Sequence, residues 1–171
     1  VGCMGQVLSF SPLGQYRRIV FARAYSSMHG HSIRDSSPAD RLIAAMSDYT
    51  MATCYAVLRT PVWRRSWGSV AEYASGAAQE LQQAMAVYLL GPFTTTSHVQ
   101  WLRSIENPPA PLSPAEEKDG RIWFPEWWEG QRYETERVAF VSRLAELVAD
   151  ELGADRDVCA SWVIAGAEVF V

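Results

Sequence analysis

Lysine is almost missing from this chain. Lys118 is the only one among fifteen basic residues; the other fourteen are arginines. GC-rich codons account for that bias, so a GC-rich bacterium or its mobile elements is the expected source. Selection for bidentate Arg contacts would also enrich Arg, but it should cluster the residues, and Arg17-Arg18 and Arg64-Arg65 are the only adjacent pairs. Cysteine is sparse too. Cys3, Cys54 and Cys159 are odd in number, far apart and without a Cys-x-x-Cys spacing, which excludes a disulfide framework and a zinc ribbon. Cys54 and Cys159 read as small core residues, and a reducing cytoplasmic setting is the expectation.

Other absences narrow the chemistry. No run of about 18 apolar residues is present, so no membrane span is expected. There is no Gly-rich phosphate loop, no Gly-x-Ser-x-Gly elbow, no Ser-x-x-Lys and no His-Glu-x-x-His. Lys118 lies among Glu116, Glu117 and Asp119 in a polar loop, a poor setting for a Schiff-base lysine. Only three histidines occur. His29-Gly30-His31 lacks the third and fourth ligands that a metal site needs, and His98 reads as surface. Neither a metal nor a cofactor is expected. A Ser-His-Asp site is not excluded, because its members need be neighbours only in space.

The chain holds 171 residues, 49% apolar and 20% charged, with net charge −4 and mean hydropathy −0.08. That is the balance of one soluble globular domain. The negative charge argues against a surface that grips nucleic acid throughout.

Residues 1–35 pattern poorly as a core element, and residues 1–27 lack the charged and apolar regions of a signal peptide. Val1 reads as a GTG start or a cut end, Met28 offers an alternative start, and a compact helical domain is expected over 36–171. Ser37-Pro38-Ala39-Asp40 combines a cap, a proline suited to a helix start and an acid in the first turn. The spacing of Leu42, Met46, Tyr49, Thr53 and Val57 predicts a helix to about Arg59, stopped by Thr60-Pro61. Ser69-Val70-Ala71-Glu72 is a capping-box pattern. It predicts a second helix over about 70–90, closed by Gly91-Pro92. Ser97-His98-Val99-Gln100 suggests a third, with Val99, Leu102 and Ile105 as its apolar side. Residues 107–120 carry four prolines and read as a long connection, with one helical turn at Ser113-Pro114-Ala115-Glu116. A long helix is expected over about 131–152, capped by Gly153, and a last one over about 155–166. Gln6–Phe10 and 167–171 are the only candidate strands. The fold expected is therefore an all-α, single-domain bundle of about five helices with a long Pro-rich connection.

Two features suggest contacts. Trp123, Phe124, Trp127 and Trp128 crowd into six residues, and Trp is enriched at binding hot spots. An acid beside an indole, here Glu126 or Glu129, can also have a raised pKa, although both read as facing water. Residues 145–164 supply the second feature. Ala149, Leu152, Gly153, Ala154, Val158, Cys159 and Trp162 resemble the helix-turn-helix of bacterial DNA-binding regulators in small-residue, turn and apolar positions. The resemblance covers about 20 residues and implies a recognition helix carrying Arg156 and Ser161. Asp155 and Asp157 on that helix oppose phosphate. Arg64 and Arg65, with Arg59, Trp63 and Trp67, form the most basic patch. Arg interleaved with Trp can bind single strands, but we read it as a loop whose tryptophans pack inward. The expected function is a non-enzymatic interaction or accessory protein with a protein partner. A helix-turn-helix regulator binding nucleic acid is the second reading, and an enzyme without a linear signature the third.

Overall fold

The structure, a computed structural model, describes residues 1–13, 18–25, 32–50, 52–106 and 112–171. It overturns the all-α helical bundle. The protein is mixed α/β, with a curled five-stranded sheet that forms half a barrel beside a layer of helices. His29, His31 and Met28 lie outside the described residues.

The sheet comes mostly from the segment that patterned poorly. β1 (Gly2–Leu13) is flanked by β2 (Arg18–Ala24) and β5 (Phe93–Ser104), with β3 (Ser32–Ile33) beyond β5 and β4 (Val57–Leu58) against the start of β1. β1 pairs antiparallel with β2, from Val7↔Ala24 to Leu13↔Arg18, and parallel with β5. The reading of residues 1–35 missed these strands because their alternation is blurred. β1 is covered unevenly, with Met4 and Val7 the buried side chains among its described residues, so no clean apolar/polar period marks it. The candidate strand Gln6–Phe10 lies within β1.

β5 replaces the helix expected over 97–105. Thr94, Thr95, Thr96, Val99 and Trp101 are β-branched or aromatic and fit a pleated surface better than a helix. The Ser97–Gln100 capping pattern is incidental. Val99, Leu102 and Ile105, taken as the buried side of that helix, are 53%, 51% and 60% exposed.

The helix expected over 36–59 divides. α1 (Pro38–Met46) starts as read, with Ser37 Oγ accepting from Asp40 N. It stops where Ser47, Asp48, Tyr49 and Thr50 lower helix propensity. A 3₁₀ turn (Thr53–Tyr55) and β4 follow, and then α2 (Thr60–Gly68). Thr60-Pro61 therefore begins a helix instead of ending one, since proline suits the first turn. α3 (Gly76–Leu90) starts at Ser75, not Ser69. Ser75 Oγ accepts from Ala78 N and donates to Ile122 O at 2.7 Å, while Ser69 ends α2.

α3 is the core helix. Every residue from Leu81 to Leu89 is buried, as expected of a helix contacted all round. Its last carbonyls are satisfied by a buried side chain. Arg41 of α1 donates to Tyr88 O (2.9 Å) and Leu89 O (2.8 Å), and also to Asp35 O and Ser36 O. A guanidinium there complements the negative helix end.

Three of the remaining helices lie near the predicted positions, while the short helix over Phe124–Glu129 was not predicted. α4 (Pro114–Asp119) has a full capping box between Ser113 and Glu116. α5 (Phe124–Glu129) leads through a 3₁₀ turn into α6 (Glu134–Leu152), and Gly153 ends α6 in the left-handed conformation (φ 63°). α7 (Arg156–Phe170) is capped by Asp155 and runs on through residues read as a strand. α7 lies close on α1, where a Cβ at Gly166 would stand 2.6 Å from Leu42 Cγ.

Candidate interaction surface

The Trp-rich segment is mostly core. In α5, residues 124, 127 and 128 share one face and 126 lies on the other, while Trp123 precedes the helix with extended backbone. Trp127 is 0% and Phe124 1% exposed. Both join Phe140 and Phe170 in one aromatic cluster, with Phe124–Trp127 centroids at 5.5 Å and Trp127–Phe140 at 5.6 Å. Trp127 Nε1 donates to Glu136 Oε2 at 2.7 Å, so its polar handle is also committed inside. Trp128 is half-buried and stacks on Phe124. Trp123 alone is largely free, at 59% exposure. The segment clamps α5 to α6 and leaves a partner little to touch. Glu126 faces water beside Arg132, 3.5 Å away.

The α6–Gly153–α7 corner has the connectivity of the helix-turn-helix resemblance, but its charges are paired or acidic. Arg156 lies 3.8 Å from Glu146, and Ser161 Oγ donates back to Val158 O at 2.6 Å. Arg65 of α2 pairs with Glu151 of α6, while Arg64 is exposed. Arg64, Arg65, Arg156 and Ser161 therefore form no common basic surface, because Glu146, Asp150, Glu151, Asp155 and Asp157 stand exposed among them. Trp63 and Trp67 do not pack inward as expected; they are 51% and 39% exposed on α2.

A dispersed active site finds little support among the described residues. Cys54 Sγ lies 3.6 Å from Glu80 Oε1. Burial and the neighbouring Glu80 carboxylate push its thiol up to about 12, the opposite of an activated nucleophile. A cleft of about 580 Å³ is lined by Tyr73, Glu72, Ser113 and Glu136. Burial pushes the Tyr73 hydroxyl up to about 12. The Glu136 carboxylate is already occupied by Ala74 N and Trp127 Nε1. His98 is exposed on β5. No group of three or more His, Cys, Asp or Glu able to hold a metal is present among the described residues. No helix there is long and apolar enough to cross a membrane.

An uncommitted surface lies at the free end of the sheet. A Cβ at Gly5 would stand 2.6 Å from His98 O, and Gly5 N donates to Gln100 Oε1 at 2.6 Å. Here the β1–β5 register shifts, and such irregularities bend and twist strands. Beyond the bend the two faces differ. Val7, Ala24 and Trp101 are register partners and share one face. It is filled by Tyr25 stacked on Tyr55 (6.2 Å), Tyr55 against Trp101 (4.9 Å), and Arg103 over the Tyr25 ring while donating to its hydroxyl. The other face takes Leu8, Phe10, Ile19, Phe21, Arg23 and Leu102, by the pairings Leu8↔Arg23, Leu8↔Leu102 and Phe10↔Phe21. Ile19, Phe21 and Leu102 are each more than half exposed. β2 ends the sheet, and its outer edge pairs with no strand among the described residues.

One sequence signal could have located this surface. No Asp or Glu occurs in residues 1–34 or 81–105, so all nineteen acids lie in 35–80 and 106–168. Every strand falls within an acid-free stretch, or, for β4, between acids at 48 and 72. The strands instead carry Arg18, Arg23, His98 and Arg103.

No family model matches the chain, and no curated protein or solved structure matches it either.

Proposed function

We propose that this chain is a non-enzymatic interaction or accessory protein whose contacts are made by the free end of the β1–β2–β5 sheet. The observation that carries this reading is the exposed apolar face of Ile19, Phe21 and Leu102 beside the open edge of β2. Contiguous exposed apolar surface is uncommon on a protein that works alone, and an unpaired edge strand invites pairing unless it is blocked. The Trp-rich segment no longer supplies the surface, because its two largest buried rings hold α5 to α6.

A photoreactive amino acid placed at position 21, 102, 123 or 138 tests this in producing cells. The expected result is discrete adducts from 21 and 102 and none from 123 or 138. Adducts only from the helical positions would reject it. The regulator reading gains no support from the acidic α6–α7 corner. Retention on duplex DNA at low salt, lost in Arg156→Ala, would bring it back.

A further inference from the structure

We infer that the outer edge of β2 binds an extended acidic segment of a partner protein as an added strand. This rests on the sheet end being the contact surface and names what that surface takes. Three independent features specify the ligand. First, the edge from Ile19 to Ala24 pairs with no strand among the described residues, so its outward backbone groups are available to an incoming chain. Main-chain hydrogen bonds of that kind provide affinity without dictating sequence.

Second, the side chains beside the edge set an alternating pattern. Ile19 (57% exposed) and Phe21 (52%) stand on one face and Val20 (50%) on the other. A strand laid alongside therefore meets apolar side chains on both faces at its centre. An α-helix would meet only one of those faces and would leave the edge unpaired. The apolar pattern thus favours an extended ligand, and β-branched residues at its centre.

Third, the charge selects acidic flanks. Arg23 is exposed and makes no ion pair among the described residues. No described strand contains a carboxylate. A ligand with Glu or Asp beside Arg23 meets a cation and no like charge. In a protein of net charge −4, that local complementarity steers acidic segments to this edge and away from the helices. A second copy fits less well. Antiparallel pairing of β2 with itself about Phe21 brings Arg23 of both copies into one interface with no acid on either strand to offset them.

The test uses the whole chain and a short fluorescent peptide with alternating Val and Thr and Glu at both ends. Anisotropy should show saturable binding. Replacing both Glu by Lys should weaken it several-fold, and N-methylation of alternate residues should weaken it about tenfold or more by removing edge hydrogen bonds. The variant Arg23→Glu should reverse the preference between the Glu and Lys peptides. On peptide binding, hydrogen exchange should slow at residues 19–24 and not in α6 or α7. The inference fails if binding is not saturable, if the Glu and Lys peptides bind equally, or if N-methylation has no effect. It also fails if the free protein is already a dimer with residues 19–24 protected, or if oligothymidylate displaces the peptide. Adducts from position 21 in cells with no peptide binding would sink the inference and leave the proposed function standing. No adducts from position 21 would sink the proposed function.

Discussion

The helical layer and the free end of the sheet solve the problem of polar and apolar groups in opposite ways. Around α3, several charged and amide groups are drawn inside and matched by named partners, although Gln82 Nε2 and Gln83 Oε1 of α3 are not. Arg41 closes the end of α3, and Glu136 holds both Ala74 N and Trp127 Nε1. Glu116, 2% exposed, accepts from Ser113 N and Ile122 N while its own backbone takes part in a capping box. At the sheet end the order is reversed. Apolar side chains are left outside, and Arg23 beside them makes no ion pair among the described residues. Satisfied buried polar groups make one arrangement unique and rigid. Uncommitted apolar and cationic groups on an open edge stabilise nothing until something covers them. The difference teaches which region is scaffold and which is surface for use.

Substitutions can break that comparison, and the largest effects belong to the helical layer. Trp127→Ala removes a fully buried indole and leaves Glu136 without one of its donors. The expected loss is about 3–5 kcal/mol of unfolding free energy in urea titrations. Arg41→Ala should cost about 3 kcal/mol or more, because the buried carbonyls of Tyr88 and Leu89 lose their donors. If either change proved neutral, the division between scaffold and surface would be wrong.

Glu116 sharpens the comparison through pH. Burial raises its pKa, but the N–H groups of Ser113, Ile122 and Gly76 and the charge of Arg121 outweigh that, and the carboxyl ends below its usual 4.5. A group whose folded pKa is depressed contributes stability above its unfolded pKa and loses it as pH falls through the folded value. The stability difference between the natural chain and Glu116→Gln should therefore be constant near neutrality and shrink below about pH 4.5. A difference that grew with acid would contradict the assignment.

The smallest effect is expected at the sheet end. Phe21→Thr and Trp123→Ala should each change stability by no more than about 0.5 kcal/mol, since both rings are more than half exposed. Phe21→Thr should also remove most adducts from position 102, whereas Trp123→Ala should leave them unchanged. A destabilisation by Phe21→Thr similar to that of Trp127→Ala would make the sheet end part of the core.

Much of the helical layer was legible from local chemistry. Ser37 with Pro38 and Asp40, Ser113 with Glu116, and Gly153 each act within one turn or between adjacent turns, and each lies where expected; of the stripe Val138, Val141, Ala145, Val148 and Leu152 read for the long helix, Ala145 and Val148 are buried but Val138 and Leu152 are exposed. The misreadings share a physical cause. Ser69–Glu72 and Ser97–Gln100 have capping spacing, but a cap works only where the residues after it gain more from a helix than from other partners. Residues 97–100 gain more from β1. The site was less legible, because clustering of Trp in the sequence does not say which way each ring points.

The sequence by itself determined the capped starts of α1 and α4, the glycine end and position of the long helix α6, and the confinement of every carboxylate to residues 35–80 and 106–168. Those are local or compositional properties. Only the tertiary structure decided that residues 2–13 form the centre of a sheet, that Phe124 and Trp127 face the core, and that Ile19 and Phe21 do not. Strand pairing between residues about ninety apart, as in Gly2↔Phe93, depends on partners that no local window contains, and the exposure of a side chain depends on whether the folded chain has anything left to cover it.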